Sequence, residues 1–250
     1  MIKPIFGKRK PKVDEKKAKD QAMQQAIKNR EKDDPLVGLK IGAMELKANL
    51  MEMLKDTNGV RVEDAFGILG SLAGNMCLMY GFLAVRSGLN TRESNTFHII
   101  GAKNGQKYYL GSLINSPLLE DKMSVWSLIA GMAQDLGATN EDLPNIEDIL
   151  AHTISTFGDD DSFGIPRLPE KHKLRDTPEN FVKHLSPKLI PIVTRYTQDA
   201  RAMPALIAMA IQGLMKDAKN IIDPSIAALI VMECAIPMSR CDVNGYITQE

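Results

Sequence analysis

Aromatic side chains are scarce in this chain: phenylalanine, tyrosine and tryptophan make up 5% of its 250 residues, and tryptophan occurs once. A core must therefore come from aliphatic residues and from the 14 methionines. Unbranched side chains lose little rotamer freedom in a helix, so this composition favours helical packing. Cysteine is nearly lacking too. Cys77, Cys234 and Cys241 are odd in number and form no C-x-x-C, which excludes a disulfide framework and reads as reduced thiols in a cytosolic protein. Cys77 lies in an apolar stretch without the electropositive setting a nucleophilic thiol needs.

Catalytic signatures are missing as well. The sequence contains no G-x-S-x-G, no G-x-x-x-x-G-K-[ST], no G-x-G-x-x-G after a strand and no H-E-x-x-H. Those spacings build a nucleophile elbow, two kinds of phosphate cradle and a zinc site respectively. The four histidines, His98, His152, His172 and His184, supply few groups that titrate near neutral pH, and none has a nucleophile that can be paired with it. His98 reads as a partly buried strand side chain, and His172, inside "PEKHKLRD", as a solvated one.

Net charge is formally zero, but residues 1–34 hold 11 Lys/Arg against 6 Asp/Glu, which leaves the rest acidic by 5. An acidic body excludes the dense basic face that nucleic acid requires. The first residues, "MIKPIFGKRKPK", lack the apolar run of about 7–15 residues that a secretory signal needs, so a cytoplasmic location is expected. Residues 1–34 read as a basic, flexible or helical arm that cannot bury enough apolar area to fold alone. A peripheral membrane tether through this basic arm, helped by Ile2, Ile5 and Phe6, is one alternative function.

Residues 35–250 read as a single helical globular domain, with a possible subdivision near 112. Asp34 and Pro35 open a helix whose Leu36, Leu39, Ala43, Leu46, Leu50 and Leu54 recur at steps of three or four. It should end at Asn58-Gly59. Residues 65–85 carry no charged side chain. That is long enough to span a bilayer, but Gly67, Gly70, Gly74, Gly81 and Asn75 favour a helix buried among other helices, with G-x-x-x-G marking close packing. Thr96–Ile100 and Gln106–Leu110 flank Lys103-Asn104-Gly105, the strongest short hairpin signal. Helices are expected at 116–121, 123–136, 144–157, 177–197, 203–218 and 224–238. The stretches "LIAGMAQDL" and "LIAMAIQGL" suggest a duplicated helix pair. The expected fold is thus mainly α, a compact multi-helix array with one β-hairpin at about 96–110 and a polar N-terminal arm.

The most chemically pointed stretch is "STFGDDDSFGIPRLPE", residues 155–170. Its spacing approaches a calcium-binding EF-hand loop, but Phe163 stands where an oxygen ligand belongs and Pro169 opposes the exiting helix. Asp148 and His152 share a helical face just before it, so Asp148, His152, Asp159 and Asp161 form a candidate divalent metal set for a metal-dependent hydrolase. Asp159, Asp160, Asp161 and Phe163 form a candidate contact surface, acidic and rimmed by aromatics. The leading expectation is a non-catalytic cytosolic interaction protein, of accessory, inhibitor or immunity type, that binds another protein through this surface and needs no cofactor.

Overall fold

A computed structural model describes residues 12–89 and 95–245. The chain divides into two compact units, Met1–Gly38 and Leu39–Glu250. The first contains helix α1 (Lys12–Arg30), so the described part of the arm takes the helical form. Ile2, Ile5 and Phe6, the candidate membrane anchor, lie outside the described residues.

Helix α2 (Val37–Leu54) begins just after Asp34, whose carboxylate accepts from the Leu36 N–H at 3.1 Å. It stops before a tight turn at Asp56-Thr57-Asn58-Gly59. There Asp56 accepts from the Asn58 N–H at 2.7 Å, and Gly59 takes φ +98°, a region open mainly to glycine. Helix α3 (Val62–Arg86) follows, with Glu63 and Asp64 in its first turn, where acidic groups suit the positive end of the helix dipole. The remaining elements are strands β1 (His98–Gly101) and β2 (Lys107–Leu110), and helices α4 (Ser112–Asn115), α5 (Val125–Asp135), α6 (Ile146–Ser155), α7 (Pro178–Tyr196), α8 (Ala202–Ala218) and α9 (Pro224–Met238). The helix expected at 116–121 is a π-helical turn, Ser116–Glu120, continuing α4. Among the described residues the fold is mainly helical with a single hairpin.

α3 is the organising element, and α7, α8, α9 and α4 all pack against it. Among the described residues it is the one helix long and apolar enough to cross a membrane, and 72% of its most apolar window is buried in the fold. Its glycines explain the closest crossing. A Cβ built on Gly70 would lie 2.6 Å from the Val231 carbonyl oxygen of α9, and one on Gly74 would collide with the carbonyl of Ala235. Only glycine lets two backbones approach this far. The two helix pairs that share a sequence pattern, α5–α6 and α8–α9, pack on each other, α5 on α8 and both α5 and α6 on α9, and at the α5–α8 contact Gln212 Nε2 donates to the Leu128 carbonyl at 2.7 Å.

The hairpin turns as its Asn-Gly predicts. Asn104 Oδ1 accepts from the Gln106 N–H at 3.1 Å, and Gly105 has φ +85°. A two-stranded sheet is marginal by itself. Here Tyr108 and Tyr109 are fully buried, and the Tyr109 N–H donates to the Arg240 carbonyl at 2.9 Å. The chain after α9 thus fixes the outer edge of β2 to the helical body. His98 is exposed, not partly buried.

Candidate functional site

The loop between α6 and α7 is long and irregular, and it is pinned at both ends. Near its start, Phe157 stacks on Tyr108 with centroids 4.0 Å apart and planes 6° from parallel. Phe163 meets Tyr108 edge-on at 4.9 Å. These three rings close over Val182, Met238 and Cys241. The Gly158 N–H donates to the Tyr108 hydroxyl at 2.9 Å, which itself donates to Gln106 Oε1 at 2.7 Å. Burial pushes the Tyr108 phenol above its ordinary range, so it stays a neutral donor and acceptor.

With the aromatics turned inward, the aspartates turn outward. Asp159, Asp160 and Asp161 are all exposed. Asp159 builds the turn: its Oδ1 accepts from the N–H groups of Asp161 at 3.1 Å and Ser162 at 3.3 Å. The Ser162 side-chain hydrogen bond and then the Asp161 N–H hold its carboxyl below the usual carboxylate range. Asp160 Oδ1 accepts from Asn104 Nδ2 at the hairpin tip, at 2.9 Å. No hydrogen bond or ion pair ties down the Asp161 side chain among the described residues. The backbone reverses at Gly158 and Gly164, both with positive φ.

Further along, Arg167 fastens the loop to the core. Its Nε and backbone N–H each donate to Glu233 of α9 at 3.1 Å, and Nη2 lies 2.8 Å from Asp148 Oδ2. Glu233 is 4% exposed, a carboxylate the fold tolerates only because it is paired. The loop ends against the first turn of α3. Arg175 donates to Asp64 through its backbone N–H at 3.0 Å and through Nε at 2.5 Å. His172, far from being solvated, sits with Nδ1 3.0 Å from Glu63 Oε1. Glu63 is raised by burial, but the His172 hydrogen bond and the nearby charges outweigh this and hold it below its ordinary value.

Two expectations change in consequence. Phe163 is half-buried and packed edge-on against Tyr108 rather than fully displayed, because covering the Tyr108–Cys241 cluster removes apolar surface from water. The metal set is not assembled either. Asp148 is taken up by Arg167, and the Asp159 carboxylate by backbone N–H groups. Among the described residues no three His, Cys, Asp or Glu side chains are grouped to hold a metal ion. His152 lies on α6 with its carbonyl in the helix terminus, and its ring has no partner among the described residues.

The residues that shape the site and that sequence reasoning missed are Tyr108, Asn104, Arg167 and Glu233. Glu233 left one trace, as a single acid in the otherwise uncharged "PSIAALIVMECAIPM", since a lone charge on an apolar helix needs a partner. No family model, curated protein or solved structure matches the chain.

Proposed function

We propose that the protein is a non-catalytic, cytosolic binding protein that engages a basic, extended segment of another protein through the Asp159–Asp161 turn and the adjoining edge of β1. The observation that carries this reading is the division of labour in the loop: Phe157, Phe163, Arg167 and Arg175 are spent on fixing the backbone, and the three carboxylates of Asp159–Asp161 face solvent on that fixed frame. A preorganised acidic turn avoids most of the ordering cost that a mobile loop meets on binding.

The neighbouring strand supplies the second element. In the β1–β2 ladder the bonded pairs alternate, and the Tyr109 N–H points away from β1 to Arg240. Ile99 and Gly101 therefore direct their backbone groups to the opposite edge. No strand pairs with that edge among the described residues, and Ile99 there is 60% exposed. β1 leads into Ala102, which lies against Gly158 of the acidic loop. An added strand with lysine or arginine near one end would meet backbone donors and acceptors first and carboxylates next.

The test uses the full chain and two synthetic extended peptides of equal β-propensity, one lysine-rich and one glutamate-rich, read by amide chemical shifts. The lysine peptide should perturb 98–102 and 158–162, with an affinity that falls as salt rises. Changing Asp159, Asp160 and Asp161 together to Ala should abolish the charge preference. Ile99→Pro should weaken both peptides, because it deletes an edge donor. Binding indifferent to both changes would remove this surface from the account.

A further inference from the structure

A cavity lies between α3 and α7, apart from the acidic loop. It has a volume of ≈ 350 Å³ and is walled mainly by Met76, Met79, Ile190 and Met203, with the rings of Pro187 and Pro191. At this size it falls within the range of cavities that accept small molecules. Its mouth is marked by Leu83, 43% exposed. Two polar side chains interrupt the apolar wall, Asn75 and Ser186. They are 1% and 4% exposed, yet neither Asn75 Oδ1 nor Ser186 Oγ has a hydrogen-bond partner among the described residues.

Buried polar groups are nearly always satisfied, and each exception calls for an explanation. Both belong to residues that wall one cavity, and although each oxygen is sealed from solvent as it stands, rotation of the Asn75 and Ser186 side chains would turn them into that space, which makes a missing partner within it the economical explanation. Among the described residues no charged side chain lines the space, so an ionic head would be buried without a counter-charge. A hydroxyl head matches both groups. It donates to Asn75 Oδ1 while accepting from Ser186 Oγ–H, and it matches the Asn75 amide in either orientation, since it both donates and accepts. Three methionines give an adaptable wall that can follow the shape of a flexible chain. We propose that this cavity binds a neutral amphiphile, an aliphatic body with a hydroxyl head held by Asn75 and Ser186.

The experiment uses the full chain and N-phenyl-1-naphthylamine, an uncharged fluorophore with one N–H donor, followed by competition. The dye should bind saturably at one site. Decan-1-ol should displace it about tenfold better than decane, which has the body without the head, and better than decanoate, whose charge is unmatched. Met203→Trp should fill the cavity and abolish dye binding. Leu83→Arg, at the exposed rim, should weaken it without touching the core and serves if Met203→Trp fails to fold. Met209→Trp, in the separate groove between α2 and α8, should change nothing. Equal displacement by decane and decanol overturns the assignment, as does undiminished dye binding in Leu83→Arg and folded Met203→Trp. Loss of binding in Met209→Trp alone would place the dye elsewhere and overturn it equally.

Discussion

The two sides of α3 are built on opposite plans. Toward α9 the helix presents Gly70 and Gly74, and the backbones touch so closely that neither position has room for a methyl group. Toward α7 it presents Asn75, Met76, Met79 and Leu83, and the seam holds an open cavity. Buried polar groups divide in the same way. Ser71, at 0% exposure, donates to the Gly67 carbonyl at 2.6 Å, whereas Ser186 across the other seam has no partner among the described residues. One helix thus carries a closed, satisfied interface and an open, unsatisfied one within a single turn. The closed side has the character of a structural seam and the open side that of a site. Substitutions on each side should therefore differ in sign as well as in size.

The largest effect should come from closing what is already closed. Gly74→Ala drives a methyl into the backbone of Ala235, which has no rotamer through which to yield. A cost of about 3 kcal/mol or more is expected, at the upper end for overpacking. Gly131 of α5 provides the control, since a Cβ there meets nothing within 4 Å. Gly131→Ala should stabilise by about 0.5–1 kcal/mol through helix propensity alone. Urea denaturation of the pair checks both signs, and a Gly74→Ala protein as stable as the parent would undo the contrast.

Next in size is the buried carboxylate on α9. Arg167→Ala strands Glu233, leaving an unpaired charge at 4% exposure, and should cost about 3 kcal/mol. Glu233→Gln keeps the shape, loses the charge and leaves Arg167 beside Asp148, so it should cost clearly less. Thermal melts of the two variants rank them. The reverse order would mean that Glu233 is reached by solvent.

How far these features were legible follows the range over which each is determined. The helices and the hairpin rest on local spacing and turn chemistry, and Gly70 and Gly74 announced a close crossing without naming α9. The acidic turn was visible as chemistry. Which way its phenylalanines face was not, because that is decided by Tyr108, about fifty residues earlier in the chain and fully buried. The Arg167–Glu233 pair spans 66 positions, so Glu233 could be recognised as needing a partner but the partner could not be named. Asn75 stood out as a polar residue in an apolar helix. Its meeting with Ser186 in one cavity is purely tertiary and leaves no pattern to read.

The open seam could be an accident of a loosely held α7, and the far end of that helix tests this. Arg195 Nη1 lies 2.6 Å from Glu45 Oε1, and the Tyr196 hydroxyl donates to Glu45 Oε2. Burial, followed by the Glu45 carboxylate, pushes the Tyr196 phenol up to about 12. The folded state then keeps a proton that the unfolded chain releases near its ordinary value of about 10. Tyr196 stabilises fully below that pH, and its contribution declines as pH rises from 10 toward 12. In Tyr196→Phe this decline should vanish from a plot of stability against pH, with a loss of about 1 kcal/mol at neutral pH. A plot unchanged by the substitution would show the anchor unmade and α7 free to drift.

The smallest effect discriminates best between the two sides. Ser71→Ala deletes a buried hydroxyl that has a partner and should cost about 1 kcal/mol. Ser186→Ala deletes one that has none, so in ligand-free protein it should be neutral or stabilising by up to about 1 kcal/mol. Adding decan-1-ol should then raise the melting temperature of the parent more than that of Ser186→Ala, because a ligand stabilises in proportion to its affinity for the folded state. The sign in the absence of ligand and the gap in its presence are separate readouts. If Ser186→Ala loses as much stability as Ser71→Ala without any ligand, Ser186 is satisfied within the protein, and the two sides of α3 differ in space but not in chemistry.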